Sequence, residues 1–149
     1  MTTGSGSCIC GAVKISFDDE PMIQGLCHCG NCKKITASAF STNAVVSESK
    51  FKVDGEVKTY TINTTGSGMP ATLHFCPTCS CVLWAVSGSN PGYVTIKTGV
   101  LDEGGLDAFA PGAEVWVSKR ATWYAGVGGE CAAFQKMPPG FPGVTDENV

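Results

Sequence analysis

Nine cysteines against two histidines are the feature of this chain that most limits what it can fold into. A disulfide framework is typical of secreted chains and normally uses an even number of cysteines. The count here is odd, and residues 1–6 are small and polar, without a charged-then-apolar export signal. The cysteines are therefore predicted to be metal ligands in a reducing compartment, and the expected location is the cytoplasm.

The size and composition of the chain predict one folded unit. Its 149 residues are 43% hydrophobic and 15% charged, which allows a buried core and argues against disorder. The net charge is −3 with no stripe of Lys or Arg, so we expect no nucleic-acid groove. The absence of an 18-residue apolar run argues against a membrane span. We predict one zinc-binding domain over residues 1–136 and an irregular tail over residues 137–149.

Short alternating segments predict an all-β fold of short antiparallel strands and long loops pinned by metal. Val13, Ile15 and Phe17 fall on one face of the first clear strand. Asp54-Gly55 is a turn signal typical of β-hairpins and joins two of the segments. One or two helical turns are predicted over residues 31–37, whereas 101–109 is too rich in Gly to assign. The predicted strands are residues 13–17, 40–46, 51–53, 58–63, 72–75, 82–86, 93–98 and 114–117.

Three clusters contain all the cysteines except Cys131. Residues i and i+2 of an extended chain point to the same side, so pairs with this spacing can bind one ion. Two cysteines separated by two residues in a turn can do the same. The clusters are Cys8-Ile9-Cys10, Cys27-His28-Cys29-Gly30-Asn31-Cys32 and Cys76-Pro77-Thr78-Cys79-Ser80-Cys81.

A structural zinc takes four protein ligands, whereas a catalytic zinc takes three and keeps one position open. The first and third clusters complement each other and predict a closed site formed by Cys8, Cys10, Cys76 and Cys79. The middle cluster then predicts a three-thiolate site with an open position, formed by Cys27, Cys29 and Cys32. Two alternatives remain at this point. Cys81 competes with Cys76 as the partner of Cys79, and the middle cluster competes for a purely structural role if it recruits a fourth ligand.

The isolated candidates have simpler interpretations. His28 lies between two cysteines, so its ring is predicted to face away from their metal and to pack or support the site. His74 lies on an apolar strand and is predicted to be a hydrogen-bonded core histidine. Cys131 is predicted to be a small buried hydrophobic residue. Trp84 and Trp116 could line a pocket, although aromatic residues on strands are usually core.

The order and setting of these clusters resemble one enzyme family. The motifs are Ser7-Cys8-Ile9-Cys10-Gly11-Ala12-Val13, Cys27-His28-Cys29-Gly30-Asn31-Cys32-Lys33-Lys34 and Phe75-Cys76-Pro77-Thr78-Cys79, with Phe40 and Val82-Leu83 following the last two. Over residues 6–123 they look like the glutathione-dependent formaldehyde-activating enzyme family. The resemblance implies a β-tent fold and two zinc ions per chain. It assigns a structural zinc to Cys8, Cys10, Cys76 and Cys79, and a catalytic zinc to Cys27, Cys29 and Cys32.

By the same resemblance, the expected activity joins glutathione to formaldehyde as S-hydroxymethylglutathione, a carbon–sulfur lyase reaction in reverse. An open zinc can hold a thiol as thiolate or polarise a carbonyl. Thiolate delivery or simple holding of the substrate is favoured, because three anionic sulfurs reduce the Lewis acidity of the ion. Lys33 and Lys34 are predicted to bind the glutathione carboxylates, ahead of Lys97 and Arg120. The expected partners are small molecules, and the candidate assembly is a homodimer.

The chain also departs from the family pattern. Thr36-Ala37 stands where the family often has Ser-Gly, and Ser80-Cys81 stands where it commonly has Gly-Ser. Two other functions therefore stay open. One is a different zinc lyase or isomerase that acts on another carbonyl compound or glutathione conjugate. The other is a non-catalytic zinc module that binds a protein, which would need a fourth ligand on the middle cluster or an exposed apolar patch.

Overall fold

The computed structural model describes residues 3–102 and 104–144. The described residues form eleven strands, two short α-helices and three single turns of 3-10 helix. The strands are β1 (Thr3–Ser7), β2 (Lys14–Asp18), β3 (Ile23–Cys27), β4 (Ser41–Ser47), β5 (Phe51–Asp54), β6 (Lys58–Ile62), β7 (Ala71–Phe75), β8 (Val82–Ser87), β9 (Tyr93–Lys97), β10 (Ala113–Val115) and β11 (Ala132–Ala133). The helices are α1 (Gly30–Thr36) and α2 (Gly105–Ala108), and neither has the length or hydropathy needed to cross a bilayer.

Two open sheets contain these strands. The smaller sheet has the order β1-β2-β5, and the larger has the order β11-β10-β3-β4-β9-β8-β7-β6. All pairings are antiparallel except those of β10, which runs parallel to both β3 and β11. The prediction of a mainly β fold with short strands is confirmed, and the strictly antiparallel arrangement is corrected at these two pairs.

The hydrophobic core lies between the two sheets. Val13, Ile15 and Phe17 are buried on one face of the small sheet, as their spacing predicted. Phe51 of the small sheet packs against Trp84 of the large sheet, with ring centroids 5.1 Å apart. Each such buried side chain contributes on the order of 1.5–3 kcal/mol, so this layer supplies most of the hydrophobic stabilisation. The large sheet contributes Val46, Leu83, Trp84, Val94 and Ile96 to this core.

The pleat of the large sheet decides which side chains lie on its second face. Successive side chains of a strand point to opposite faces. Val46 and Ile96 belong to the core, whereas Asn43, Val45 and Lys97 line a cavity on the far side. The sheet therefore has core on one face and a candidate site on the other.

All eight predicted strands are present to within two residues, and the helix predicted over 31–37 is present as α1. Strands β1, β3 and β11 were missed. The β1 sequence is small and polar, yet it pairs along its whole length with β2. A side chain at Gly4 would begin 2.4 Å from the Phe17 ring, so glycine is what allows β1 to lie across that core residue.

The hairpin prediction at Asp54-Gly55 is wrong. Strand β5 pairs with β2 in the small sheet, and β6 pairs with β7 in the large sheet. The bend carries the chain from one sheet to the other, with Gly55 at φ 109° and its α-carbon against the Ala12 carbonyl. The same dipeptide that closes hairpins also serves a change of sheet, because both need a positive φ.

The C-terminal segment 137–144 has neither helix nor strand. Its backbone packs closely on the rest of the chain, since a side chain at Gly143 would overlap the Ser89 carbonyl oxygen. Met137, Phe141 and Val144 face the cavity. Of the predicted tail, residues 145–149 lie outside the described residues.

Candidate metal centres and the cavity beside them

The first candidate centre joins the loop after β1 to the turn between β7 and β8. The sulfurs of Cys8, Cys10, Cys76 and Cys79 all lie within 4.8 Å of one another. The Sγ atoms of Cys8 and Cys10 are 3.6 Å apart, and those of Cys10 and Cys76 are 3.7 Å apart. A tetrahedral zinc with Zn–S bonds of about 2.3 Å requires sulfurs roughly 3.8 Å apart. The donor type and the spacing both fit zinc.

Backbone amides point at the sulfurs of this centre. The Val13 N–H donates to Cys8 Sγ at 3.3 Å, and the Thr78 N–H donates to Cys76 Sγ at 3.4 Å. Burial has the largest effect on the Cys8 thiol and raises its pKa, but hydrogen bonds from Val13 and from the neighbouring thiols outweigh it. The net result is a Cys8 pKa lowered to about 6. A thiol with such a pKa is readily available as the thiolate that zinc needs.

The competition between Cys76 and Cys81 is resolved by the turn itself. Cys76 is buried and its sulfur belongs to the four-sulfur group, whereas Cys81 is not part of that group. The Cys76 N–H instead donates to the Cys81 carbonyl at 3.0 Å, and the Ser80 N–H donates to the Cys76 carbonyl at 2.9 Å. Burial raises the pKa of Cys81, which disfavours its thiolate.

The second candidate centre lies within one short segment. Cys27 ends β3, Cys29 caps α1, and Cys32 lies in the first turn of that helix. Their three sulfurs lie within 4.8 Å of one another. The Cys32 N–H donates to Cys29 Sγ at 3.3 Å, so the sulfur satisfies one of the amides exposed at the helix start. Among residues 3–102 and 104–144, no further Cys, His, Asp or Glu joins this group.

The thiols of the three-cysteine group differ in pKa. Hydrogen bonds from Cys27 and Cys29 lower the pKa of Cys32 to about 2, with burial opposing them and Lys97 adding to them. The pKa of Cys27 is raised, because its thiol donates to Cys29 and Cys32. The group therefore holds negative charge even with protons on its other sulfurs. Soft thiolate donors of this kind select a thiophilic cation such as zinc.

A buried hydrogen bond between His28 and Glu114 supports this segment from behind. His28 is 0% exposed and its Nε2 lies 2.8 Å from Glu114 Oε1, while the ring packs on Phe40 and Tyr124. Glu114 is 3% exposed and also accepts from the Val127 N–H at 3.0 Å. Burial alone would raise the Glu114 pKa, but these two hydrogen bonds and the charges of His28 and Arg120 lower it overall. The packing role predicted for His28 agrees with these contacts.

A cavity of about 420 Å³ opens directly onto the three-cysteine group. This volume is typical of small-molecule sites. The second face of the large sheet forms the floor of the cavity. Residues paired across neighbouring strands form rows on this floor. Cys27 lies opposite Ser41, Gly25 lies opposite Asn43 and Asn43 opposite Lys97. The next row is apolar except for Thr95 and contains Ile23, Val45, Thr95, Ala85 and Leu73, and the last contains Ser87, Ala71 and Ile62.

Lys97 is the cation on this floor. It is 8% exposed, and its Nζ donates to Asn43 Oδ1 at 2.7 Å. Asn43 in turn donates to Ser41 Oγ at 2.8 Å. Within the described residues, no carboxylate oxygen lies within 4 Å of Lys97 Nζ, so its charge faces the cavity and the Cys32 thiolate.

The lysines that the sequence favoured lie elsewhere. Lys33 and Lys34 are on α1, and neither lines the cavity. The Lys33 ammonium donates to the backbone carbonyl of Lys119. Lys119 itself lines the cavity, whereas Arg120 lies 3.8 Å from Glu114.

Trp116 is a cavity residue that the sequence left between two interpretations. It follows Val115, which pairs with Cys27, and it adopts a left-handed backbone with φ 57°. That conformation is costly for a bulky residue and is found where function or packing requires it. The Trp116 ring packs on Gly66, where any side chain would begin 2.5 Å from it. Trp84, by contrast, is core.

Two isolated predictions have different outcomes. His74 is partly buried and stacks on Trp84, with centroids 4.5 Å apart, and burial lowers its pKa. Its stacking on Trp84 agrees with the predicted packing role. Cys131 was predicted to be buried and is only partly buried, because it follows a Gly-rich turn outside the core.

Comparisons with known proteins place these observations in a family. No curated protein matches the chain. A crystal structure of a Rhodobacter sphaeroides protein is similar in fold, with a TM-score of 0.54 at 23% identity over 66% of this chain and 88% of that one. The model of the glutathione-dependent formaldehyde-activating enzyme family matches residues 3–119, which include both cysteine groups. The chain belongs to the glutathione-dependent formaldehyde-activating enzyme family.

Proposed function

We propose that this protein is a zinc-dependent carbon–sulfur lyase that joins glutathione to formaldehyde or a related aldehyde. In the reaction the thiol sulfur bonds to the aldehyde carbon, the carbonyl π bond becomes an O–H bond, and the thiol proton moves to oxygen. No oxidant or reductant is needed. The observation that carries the proposal is the three-cysteine group, which opens onto a cavity and has no fourth Cys, His, Asp or Glu among the described residues.

The two cysteine groups have separate roles in this proposal. Cys8, Cys10, Cys76 and Cys79 hold a structural zinc, since four sulfurs within 4.8 Å of one another can supply all four ligands of a tetrahedral ion. Cys27, Cys29 and Cys32 hold a second zinc with one position left for substrate. A zinc ion with an open position supplies stabilisation of a bound thiolate and weak Lewis acidity. The open cavity and the missing fourth ligand favour an enzyme over a module that only binds protein.

The chain itself orients the substrates. Lys97, fixed by Asn43, places a positive charge one row from the thiolates, where it can bind a glutathione carboxylate. Lys119 at the same cavity is the candidate for the second carboxylate. Trp116 and the loop around Gly66 cover the thiolate end, which limits water there. The carboxylate-binding role expected for Lys33 and Lys34 remains a prediction, and Lys34 serves as the comparison with Lys97 in the experiment.

Exchange NMR can measure the reaction against its spontaneous background. We expect zinc-loaded wild type to accelerate exchange between 13C-formaldehyde and its glutathione adduct, and Cys29→Ser to abolish the acceleration. Lys97→Met should raise the KM for glutathione at least tenfold, because one charge-assisted contact is worth about 1.5–3 kcal/mol. The matched control is Lys34→Met, outside the cavity. A zinc-loaded wild type that does not exceed the spontaneous rate would overturn the proposal.

A further inference from the structure

The two ends of the cavity differ in chemistry. The thiolate end carries Cys27, Cys32 and Lys97. The far end is mainly apolar, with Thr95 and Ser87 as the polar members of its floor and Ile23, Val45, Leu73, Ala71 and Ile62 as the apolar ones. Among the residues that the structure describes, no charged residue lines the two far rows of the floor.

The strand register gives the distance between these ends. Cys27 and Ser41 form one row, Asn43 and Lys97 the next, and Val45 and Thr95 the row after that. Rows two residues apart are separated by about 7 Å along the strands. The apolar floor therefore begins roughly 14 Å along the strands from Cys27 and passes Lys97 on the way.

The C-terminal segment 137–144 also contributes to the lining of the far end. Gly143 packs against the carbonyl of Ser89, which follows the end of β8 at Ser87. Phe141 and Val144 from the same segment line the cavity. The C-terminal segment thus lines the apolar rows away from the thiolates, and the cavity of about 420 Å³ exceeds what formaldehyde alone can fill.

We propose that the aldehyde handled at this site carries a long alkyl chain or an extended aryl group, whose far part lies against Val45, Leu73 and Phe141. This rests on the proposed function and names the class of its carbonyl substrate. Glutathione lies at the thiolate end with its carboxylates toward Lys97 and Lys119. The hemithioacetal formed by adding the thiol across the carbonyl then places the apolar group of the aldehyde in the far rows. Burial of that group stabilises the bound adduct in proportion to its apolar area.

Unreactive thioethers separate binding from catalysis. S-methyl-, S-hexyl- and S-decylglutathione imitate adducts of increasing length, of which the longest can span the distance from the thiolate end to the apolar rows, and all can be titrated into the zinc-loaded protein by calorimetry. Transfer of one methylene from water to an apolar site is worth up to about a fourfold change in affinity. We expect S-decylglutathione to bind at least tenfold more tightly than S-methylglutathione.

Two cavity variants sharpen the test. Leu73→Asn makes the far floor polar, and Ala85→Leu fills it; each should remove most of the preference for the longer chain and leave S-methylglutathione binding unchanged. The matched control is Leu106→Asn, which changes an exposed leucine outside the cavity and should keep the preference. Two substitutions that act in opposite ways on the volume guard against one that simply fails to fold.

The outcomes distinguish the two proposals. Equal affinity for all three thioethers, with glutathione itself bound, would overturn the apolar subsite and leave the proposed function intact. A preference for the longer chain that persists in both Leu73→Asn and Ala85→Leu would also overturn it. Failure of every thioether and of glutathione to bind would overturn both this inference and the glutathione part of the proposed function.

Discussion

The two cysteine groups use the same donor atoms but differ in how far apart their members lie along the chain. The four-cysteine group brings Cys8 and Cys10 to Cys76 and Cys79 and links the loop between two strands of the small sheet to a turn of the large sheet. The three-cysteine group is complete within residues 27–32 and lies at the edge of a cavity. A long-range closed group stabilises the fold, whereas a local group costs little chain entropy and leaves a coordination position for chemistry.

The two cysteine groups also differ in burial. Cys8 and Cys76 belong to the hydrophobic core between the sheets. Cys27, Cys29 and Cys32 are outside that core, and their segment is supported by the His28–Glu114 pair and by hydrogen bonds of α1. Loss of metal from the first group should therefore disturb packing, and loss from the second should disturb mainly the cavity.

The largest expected effect is that of Cys76→Ser. Because a structural zinc contributes folding free energy directly, we expect the free energy of unfolding to fall by at least about 5 kcal/mol or the variant not to fold. Urea unfolding followed by fluorescence, with zinc counted per chain, measures this. Cys81→Ser is the matched control next to it and should keep both the zinc content and the fold.

Cys29→Ser should produce a large functional effect and a small structural one. We expect zinc to fall from about two ions to about one per chain, and the free energy of unfolding to fall by less than about 2 kcal/mol. Elemental analysis of anaerobically purified protein and a thermal melt give both quantities. The division of roles would be reversed if Cys29→Ser melted below Cys76→Ser.

Glu114→Gln tests the support behind the local group. The change weakens the buried hydrogen bonds of Glu114 with His28 and Val127. The free energy of unfolding should therefore fall by about 1–3 kcal/mol at pH 7. The folded-state pKa of Glu114 is lowered from its usual 4.5, so its carboxylate contributes stability that is full above that value and lost as pH falls through the folded pKa. The difference between wild type and variant in urea unfolding should therefore shrink below about pH 4.5. A difference that stays constant from pH 7 to pH 3 contradicts this assignment.

The smallest effects concern the two departures from the family pattern. Ala37 and Ser80 have φ values of 49° and 62°, in the left-handed region that favours glycine. Ala37 ends α1, and Ser80 follows the Cys76–Cys79 turn. We expect Ala37→Gly and Ser80→Gly each to stabilise the fold by about 0.5–1 kcal/mol, with zinc content unchanged.

Thermal melts of these two glycine variants also sharpen the comparison. Each glycine relieves a similar backbone strain, so the two gains in stability should be similar. Ala37 lies beside the three-cysteine group and Ser80 beside the four-cysteine group. A gain at Ser80 alone would mean that α1 frays at its end and does not hold the local group in place. Destabilisation by either glycine would contradict the assigned backbone geometry.

Several expectations from the sequence depended on local spacing, and these are confirmed. The alternation of Val13, Ile15 and Phe17 predicted a buried face, and the short apolar segments predicted eight strands. Strand β1 was missed because its Gly and Ser residues carry no hydrophobic signal; contact with Phe17 explains them. The hairpin at Asp54-Gly55 was wrong because a turn signal does not say which sheet each arm joins.

The sequence by itself determined the mainly β class, the family and the segments that supply cysteine sulfurs, because ligand spacing and strand alternation are local properties of a chain. Only the tertiary structure decided that Cys76 and not Cys81 joins the four-cysteine group, and that Lys97, Trp116 and the segment 137–144 surround the cavity. These relations depend on strand order and register between residues far apart in sequence. Register is fixed by the packing of whole sheets, which no single segment encodes.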